Sequence, residues 1–408
     1  MSFSCLVCGS SSIDEFLNLG STPLANRFIT PTELGQTELS APLKVGFCHS
    51  CTHIQLTHLV APAEMFSHYL YISSMSDTLK AHLADLAQCV VNRVALRPSH
   101  FVVDIGANDG TLLSSFRRHG VQTLGVDPAA NLAQIARQNG IDMYTAFFGR
   151  ETAQKIVSQW GQAQVITATN TFPHLPKLTD FLAGLDILLA PGGFFVLEAH
   201  YLQDILDQLA FDTVYHEHCH YWSLAPMMRL FRDHNFEIVD VERIPLHHGQ
   251  LRVWVQRRGV SVRSHRVDTL LAAEQQAGLR QISTFRHFSE RVTILKNQLC
   301  QTIDHLLSQG KKIAGYGAPA KGNTLLTFLG LGPDRIVWIA DRSPLKQGRL
   351  TPGTHIPIVD PERITQEQPD YLLLLAWNFA DEVMQQQKLF RDRGGQFILP
   401  VPTVSIFT

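Results

Sequence analysis

The feature that most constrains the fold is a short, mostly apolar run, Phe101-Val-Val-Asp-Ile105, that breaks directly into the loop Gly106-Ala-Asn108-Asp109-Gly110. A buried strand followed by a Gly-rich turn and a helix, expected here over 111–118, is the opening unit of a parallel sheet. The alternation continues. Strands are expected over 121–126, 142–147, 165–168 and 193–199, with a helix over 131–138, and two closing strands over 236–242 and 250–256. Strands alternating with helical stretches place helices on both faces of the sheet. The fold class is therefore α/β, with a Rossmann-like domain over 69–285.

At 408 residues the chain is too long for one ordinary domain. A second Gly-rich turn marks a smaller Rossmann-like domain over 286–408. Its strand is expected over 311–316, its loop over 317–322 and its helix from 323, after one or two long helices spanning 268–308. Further strands follow over 336–340, ending at Asp341, and over 371–376.

The N-terminal stretch, 1–68, has a different logic. Four of the chain's 7 cysteines lie there, as Cys5-Leu-Val-Cys8 and Cys48-His-Ser-Cys51. Two such knuckles present four thiolates to one tetrahedral ion, a set suited to structural zinc, with no open position for catalysis. Little else in the stretch promises a large core, so the metal is expected to supply folding energy directly. Arg27 and Lys44 face Asp14, Glu15, Glu33 and Glu38, so the stretch carries no phosphate-binding footprint.

Across the chain, 34 Lys and Arg balance 36 Asp and Glu, which gives no field for nucleic acid or an acidic membrane. No signal-like N-terminus and no bilayer-length apolar run is present, so the expected compartment is the cytoplasm. The expected state is a monomer or small homo-oligomer.

Ligands of open parallel sheets sit at the strands' carboxyl ends near the switch point. Asp104, Gly106, Asn108, Asp109 and Gly110 occupy that position, and Asp127 ends the next strand, where it suits ribose hydroxyls. The loop departs from Gly-x-Gly-x-x-Gly, and its acidic residues suit a cationic cofactor better than a diphosphate. S-adenosylmethionine is therefore the expected cofactor; a nicotinamide enzyme and an empty Rossmann domain are the alternatives. Asn170 and His174 follow the fourth strand and reach the same crevice. The segment Phe211–Tyr221 carries Tyr215-His216-Glu217-His218-Cys219-His220. If extended, it puts His216, His218 and His220 on one face. A metal site, a polar domain seam and a catalytic base beside a carboxylate and a phenol all fit this pattern.

Together these pieces resemble the three-domain, zinc-containing sugar C-methyltransferases, which act on nucleotide-linked 4-keto deoxysugars. The resemblance covers nearly the whole chain. It rests on the paired knuckles, Tyr69-Leu-Tyr71-Ile-Ser73-Ser74, Val103-Asp-Ile-Gly-Ala-Asn-Asp-Gly110, Tyr215-His-Glu-His218 and Gly315-Tyr-Gly-Ala-Pro-Ala-Lys-Gly-Asn323. It implies methylation at C3 of a sugar, dTDP-linked, with His218 as base. Tyr71, Tyr215 and His174 would orient the sugar or donate to its oxygen, and Glu217 would hold a hydroxyl or the neighbouring histidine. Substrate contacts are expected from Ser74, Arg252, Gly317, Lys321 and Asn323, with the loop at Lys321 either holding the diphosphate or only packing. Two stretches depart from the family pattern: His247-His248-Gly249-Gln250, where His-Gly-Gly-Ser is usual, and His200-Tyr201, where Pro-Tyr is usual.

Overall fold

In the computed structural model the described residues are 3–67, 69–246 and 249–408. Seven strands form the central sheet. Their spatial order is Phe236–Ile244, Gln250–Arg257, Leu189–His200, Ala163–Thr169, Phe101–Ile105, Gln122–Val126 and Met143–Tyr144. All run parallel except Gln250–Arg257, which is antiparallel to both of its neighbours. Every residue of Phe101–Ile105 is buried, as a central parallel strand covered on both faces requires. From this strand the chain first winds outward to Met143–Tyr144, then returns to Ala163–Thr169 on the other side. The switch point therefore lies between Phe101–Ile105 and Ala163–Thr169.

The C-terminal sheet repeats the scheme, in the order Ile358–Val359, Ile339–Ala340, Ile313–Tyr316, Tyr371–Leu374, Gln396–Leu399 and Ser405–Phe407. Only its last strand is antiparallel. Its switch point lies between Ile313–Tyr316 and Tyr371–Leu374. The helical stretch expected over 268–308 is two helices, His265–Gln276 and Ile282–Ser308, divided at Gly278, whose φ of 74° is costly for any other residue. The longer helix crosses residue 285 without a break. It buries Phe285, Phe288, Val292, Leu295, Leu299, Ile303 and Leu306, an i, i+3, i+4 stripe.

The N-terminal sheet is antiparallel: Ile13–Pro23, Ser40–Cys48, Ile54–Leu56 and, from far along the chain, His220–Tyr221. This corrects the expectation of a core-poor segment. Leu17, Leu43, Val45, Phe47, Ile54 and Leu56 join one apolar cluster with the long helix and the C-terminal domain. Among the described residues no helix is long and apolar enough to cross a membrane.

Candidate active site

The carboxyl edges of the two parallel sheets open onto one cavity of 760 Å³. This size falls in the range of small-molecule sites. The central sheet contributes Asp104, Gly106, Asn108, Asp127, Asn170 and His174 to its wall, and the C-terminal domain contributes Gly317 and Lys321. Tyr71, Tyr215 and His218 line it as well.

The geometry of the first loop follows from its strands. Gly106 has φ 74° and donates its amide to the Val126 carbonyl at 2.8 Å; a Cβ there would stand 2.0 Å from Thr171 Oγ1. Asn108 donates its amide to Asp127 Oδ2 at 2.9 Å, while Asp127 Oδ1 accepts from Ala129 N at 2.8 Å. Burial pushes the Asp104 carboxyl up to about 7, with Asp127 adding to the rise and the Thr167 hydroxyl opposing it. Two carboxyl groups in a largely apolar hollow favour a cationic guest, so the donor set fits a sulfonium bearing an α-ammonium group.

Three expected cofactor or substrate contacts have other work. Asp109 turns away from the cavity, accepting from Ser74 N at 3.1 Å and from the Thr111 hydroxyl at 2.7 Å. Ser74 is thus engaged through its backbone. Gly110, with φ 77°, forms the N-cap of the helix Thr111–Arg117. With Asn108, which donates to the Tyr71 carbonyl and accepts from Ser73 N, these residues pin the 71–74 segment over the cofactor loop. Tyr71 stands at the mouth, 41% exposed.

The segment 211–221 is not one strand. It makes a 3-10 turn at Phe211–Thr213 and a tight turn closed by His218 N to Tyr215 O at 2.9 Å; only His220–Tyr221 is extended. The three histidines therefore diverge, which overturns the shared face. His216 Nε2 meets the Ala41 carbonyl at 3.2 Å. His220 lies between His53 Nε2 and the Leu175 carbonyl, each at 2.9 Å. His218 places Nδ1 2.7 Å from the Thr213 carbonyl. A carbonyl only accepts, so Nδ1 carries the proton and the lone pair lies on Nε2. Tyr215 packs 4.0 Å from the His218 ring, and His174 and His200 each lie 5.0 Å from it. Burial, reinforced by His174, holds His218 well below the usual histidine range, so the imidazole is neutral.

Glu217 sits behind the wall. Its Oε1 accepts from Asn26 Nδ2 at 2.7 Å and its Oε2 from the Tyr69 hydroxyl at 2.8 Å, so it engages neither a histidine nor the cavity. Burial pushes its carboxyl up to about 7 against both hydrogen bonds. Asn323 is likewise withdrawn, donating to the Ala25 carbonyl at 2.7 Å. Lys321 stays on the wall, its ammonium 4.2 Å over the Trp377 ring. Burial lowers it to about 8 while Asp212 pulls the other way.

Arg252 is removed from the site altogether. Its Nε donates to Glu198 Oε1 at 2.7 Å, and His82 meets Glu198 Oε2 at 2.7 Å. Burial alone would raise Glu198, yet these two partners hold it below the ordinary range. Arg252→Ala is expected to lower stability by about 3 kcal/mol, because it removes the permanent cation from a buried carboxylate and leaves it with His82 alone. Calorimetry should show that loss with cofactor-analogue affinity unchanged; a selective loss of methyl-acceptor binding at native stability would return Arg252 to the site.

Sequence reasoning passed over Asn26, Asp341 and Lys346, which also line the cavity. Lys346 donates to the Ala318 carbonyl at 2.8 Å, and Asp341 accepts from Ala318 N, so both brace the second Gly-rich loop. The strand end at Asp341 was the available signal; Asn26 and Lys346 carry none. Of the two departures, His247 and His248 lie outside the described residues. Gln250 donates to Asn170 Oδ1 at 2.8 Å, and His200 lines the cavity.

The four cysteines cluster away from this cavity. Cys5 and Cys51 have Sγ atoms 3.5 Å apart, Cys8 and Cys48 3.6 Å apart, and all four lie within 4.8 Å of one another. Sulfurs about 2.3 Å from a tetrahedral zinc stand about 3.8 Å apart, so the set fits that ion. Among the described residues it is the one such cluster of metal-ligating side chains.

Three family models match in chain order: a zinc binding domain over 5–66, a methyltransferase domain over 79–241 and a C-methyltransferase C-terminal domain over 245–402. The C-methyltransferase NovU of Streptomyces niveus is 36% identical over 400 residues, spanning 98% of this chain and 95% of that protein. The chain belongs to the zinc-binding C-methyltransferases. It is an S-adenosylmethionine-dependent enzyme whose structural zinc is held by Cys5, Cys8, Cys48 and Cys51. Two further proteins are similar to part of the enzyme. A ubiquinone biosynthesis O-methyltransferase of Xanthomonas oryzae pv. oryzae is 28% identical over 94 residues, 22% of the chain and 39% of that protein. The solved magnesium protoporphyrin IX methyltransferase from Synechocystis, 14% identical, covers 44% of the chain and 79% of its own at a TM-score of 0.33.

Proposed function

We propose that the enzyme methylates C3 of a nucleotide-linked 4-keto deoxysugar, in the first instance a dTDP sugar, after His218 removes the C3 proton. The observation that carries this reading is the neutral His218, its Nδ1–H held by the Thr213 carbonyl, on the wall of a cavity shared by both switch points. Carbon is a poor nucleophile until a proton leaves beside a carbonyl, and a neutral imidazole is the group suited to take it.

Asp104, Gly106, Asn108, Asp127 and Asn170 form the cofactor half of the cavity, where S-adenosylmethionine supplies an electrophilic methyl group. On the sugar half, Tyr215 and His174 flank the His218 ring, and Tyr71 stands across the mouth. A tyrosine hydroxyl or the His174 ring donating to the sugar oxygen would stabilise the developing oxyanion, and tight packing aligns carbon with donor. The turn at Gly317 and the Lys321 ammonium suit a diphosphate. The Glu217 link to Asn26 and Tyr69 ties the N-terminal segment to the turn bearing His218.

The test is incubation with a panel of nucleotide-linked 4-keto sugars in deuterated water, read by mass spectrometry. The expected result is deuterium entry at C3 without cofactor and gain of one methyl on the same carbon with it. A methyl on oxygen, with no exchange at carbon, would overturn the reading.

A further inference from the structure

The carbonyl that fixes His218 belongs to a very short element. Thr213 ends the single 3-10 turn Phe211–Thr213, which follows Leu209 at φ 52°. One turn of this kind has few hydrogen bonds of its own to resist reorientation. Beyond its own backbone bonds, Thr213 N to Ala210 O at 3.1 Å and Val214 N to Phe211 O at 3.0 Å, it is held by the C-terminal domain. Asp212 is fully buried, and its Oδ2 accepts the indole N–H of Trp377 at 2.6 Å. Trp377 opens the 3-10 turn Trp377–Phe379, just beyond the strand Tyr371–Leu374 at the second switch point. On the other side of Asp212, Phe211 packs edge-on against Phe328 at 5.4 Å. The residue that holds the base is thus flanked by residues that grip another domain.

We propose that Asp212 and Trp377 are positioning residues: their hydrogen bond pins the Thr213 carbonyl and so fixes the tautomer and the aim of His218. The inference rests on the reading of His218 as the base. It makes the C-terminal domain part of the proton-transfer apparatus as well as a wall of the substrate cavity. An imidazole that lost its carbonyl partner would exchange between tautomers, and the Nε2–H form has no lone pair at the atom that must accept the proton.

The experiment uses the full-length, zinc-loaded protein labelled with ¹⁵N in histidine, saturated with S-adenosylhomocysteine. Nitrogen shifts report which ring atom of His218 carries the proton. The native chain is expected to show the Nδ1–H form alone. Trp377→Phe, which removes the donor but keeps a ring beneath Lys321, should give mixed tautomers. On the sugar nucleotide that exchanges in the panel it should lower kcat roughly 10- to 100-fold, with KM for the cofactor unchanged. Trp377→His, which restores a ring N–H, should recover part of both. In a His218→Asn background, Trp377→Phe should add no further loss. An unchanged tautomer in Trp377→Phe, or losses that simply add, would overturn the proposal. If Trp377→Phe fails to bind S-adenosylhomocysteine, Asp212→Asn takes its place: it weakens a charge-assisted bond, and should shift the tautomer in the same direction. No shift there also overturns it. A shifted tautomer together with full turnover in His218→Asn alone would instead refute the base assignment and leave the clamp standing.

Discussion

His218→Asn is expected to lower turnover by about 10²- to 10⁴-fold, the usual contribution of a positioned general base, while S-adenosylhomocysteine binds as before. Asparagine keeps a donor for the Thr213 carbonyl but offers no basic nitrogen to the substrate, so the turn survives and the proton acceptor does not. The effect should fall on kcat, since no residue of the cofactor loop is touched. Proton exchange at the carbon that receives the methyl group should vanish in parallel; exchange that persists while methylation fails would place the base elsewhere. The pH dependence has a definite sign. Burial and His174 lower the pKa of His218 below its ordinary value of 6.5. The neutral, competent ring therefore persists as pH falls through that range, and its protonation should not produce an acid limb near 6.5 in kcat.

Cys48→Ser combined with Cys51→Ser is expected to abolish zinc binding, split thermal unfolding into two transitions, and lower turnover at least tenfold with cofactor affinity preserved. Structural zinc in isolated fingers contributes about 10–16 kcal/mol of apparent folding energy. Here the consequence is more local, because Leu43, Val45, Phe47, Ile54 and Leu56 still pack in the core shared with the C-terminal domain. The damage reaches the active site by a traceable route. Ile54–Leu56 pairs with His220–Tyr221, only two residues beyond His218, and His53 reaches His220 at 2.9 Å. Loosening the knuckle loosens that strand and, with it, the turn that presents His218. Calorimetry alongside turnover checks this; a single unshifted transition with native activity would show that the ion contributes neither stability nor order.

Much of this was legible in the linear chain, because the signals are local. A mostly apolar run before Gly106, broken only by Asp104, dictates a buried strand and a tight turn within ten residues, and four cysteines in two knuckles specify a tetrahedral ion by spacing alone. The same locality explains why the short strand Ile358–Val359, two residues with no periodic pattern, had no recognisable signature.

The sequence by itself determined the Gly-rich loop, the paired cysteine knuckles, the two parallel sheets and the presence of a histidine-rich segment, since each depends on residues adjacent in the chain. Only the tertiary structure decided which of His216, His218 and His220 faces the cavity, that Glu217 answers to Asn26 and Tyr69, and that Arg252 balances Glu198. Glu217, Arg252 and the histidines drawn away from the cavity, His216 by Ala41 and His220 by His53, answer to partners tens to hundreds of positions away. A side chain's direction there is set by which distant buried group needs a proton or a charge, and no pattern of spacing records that need.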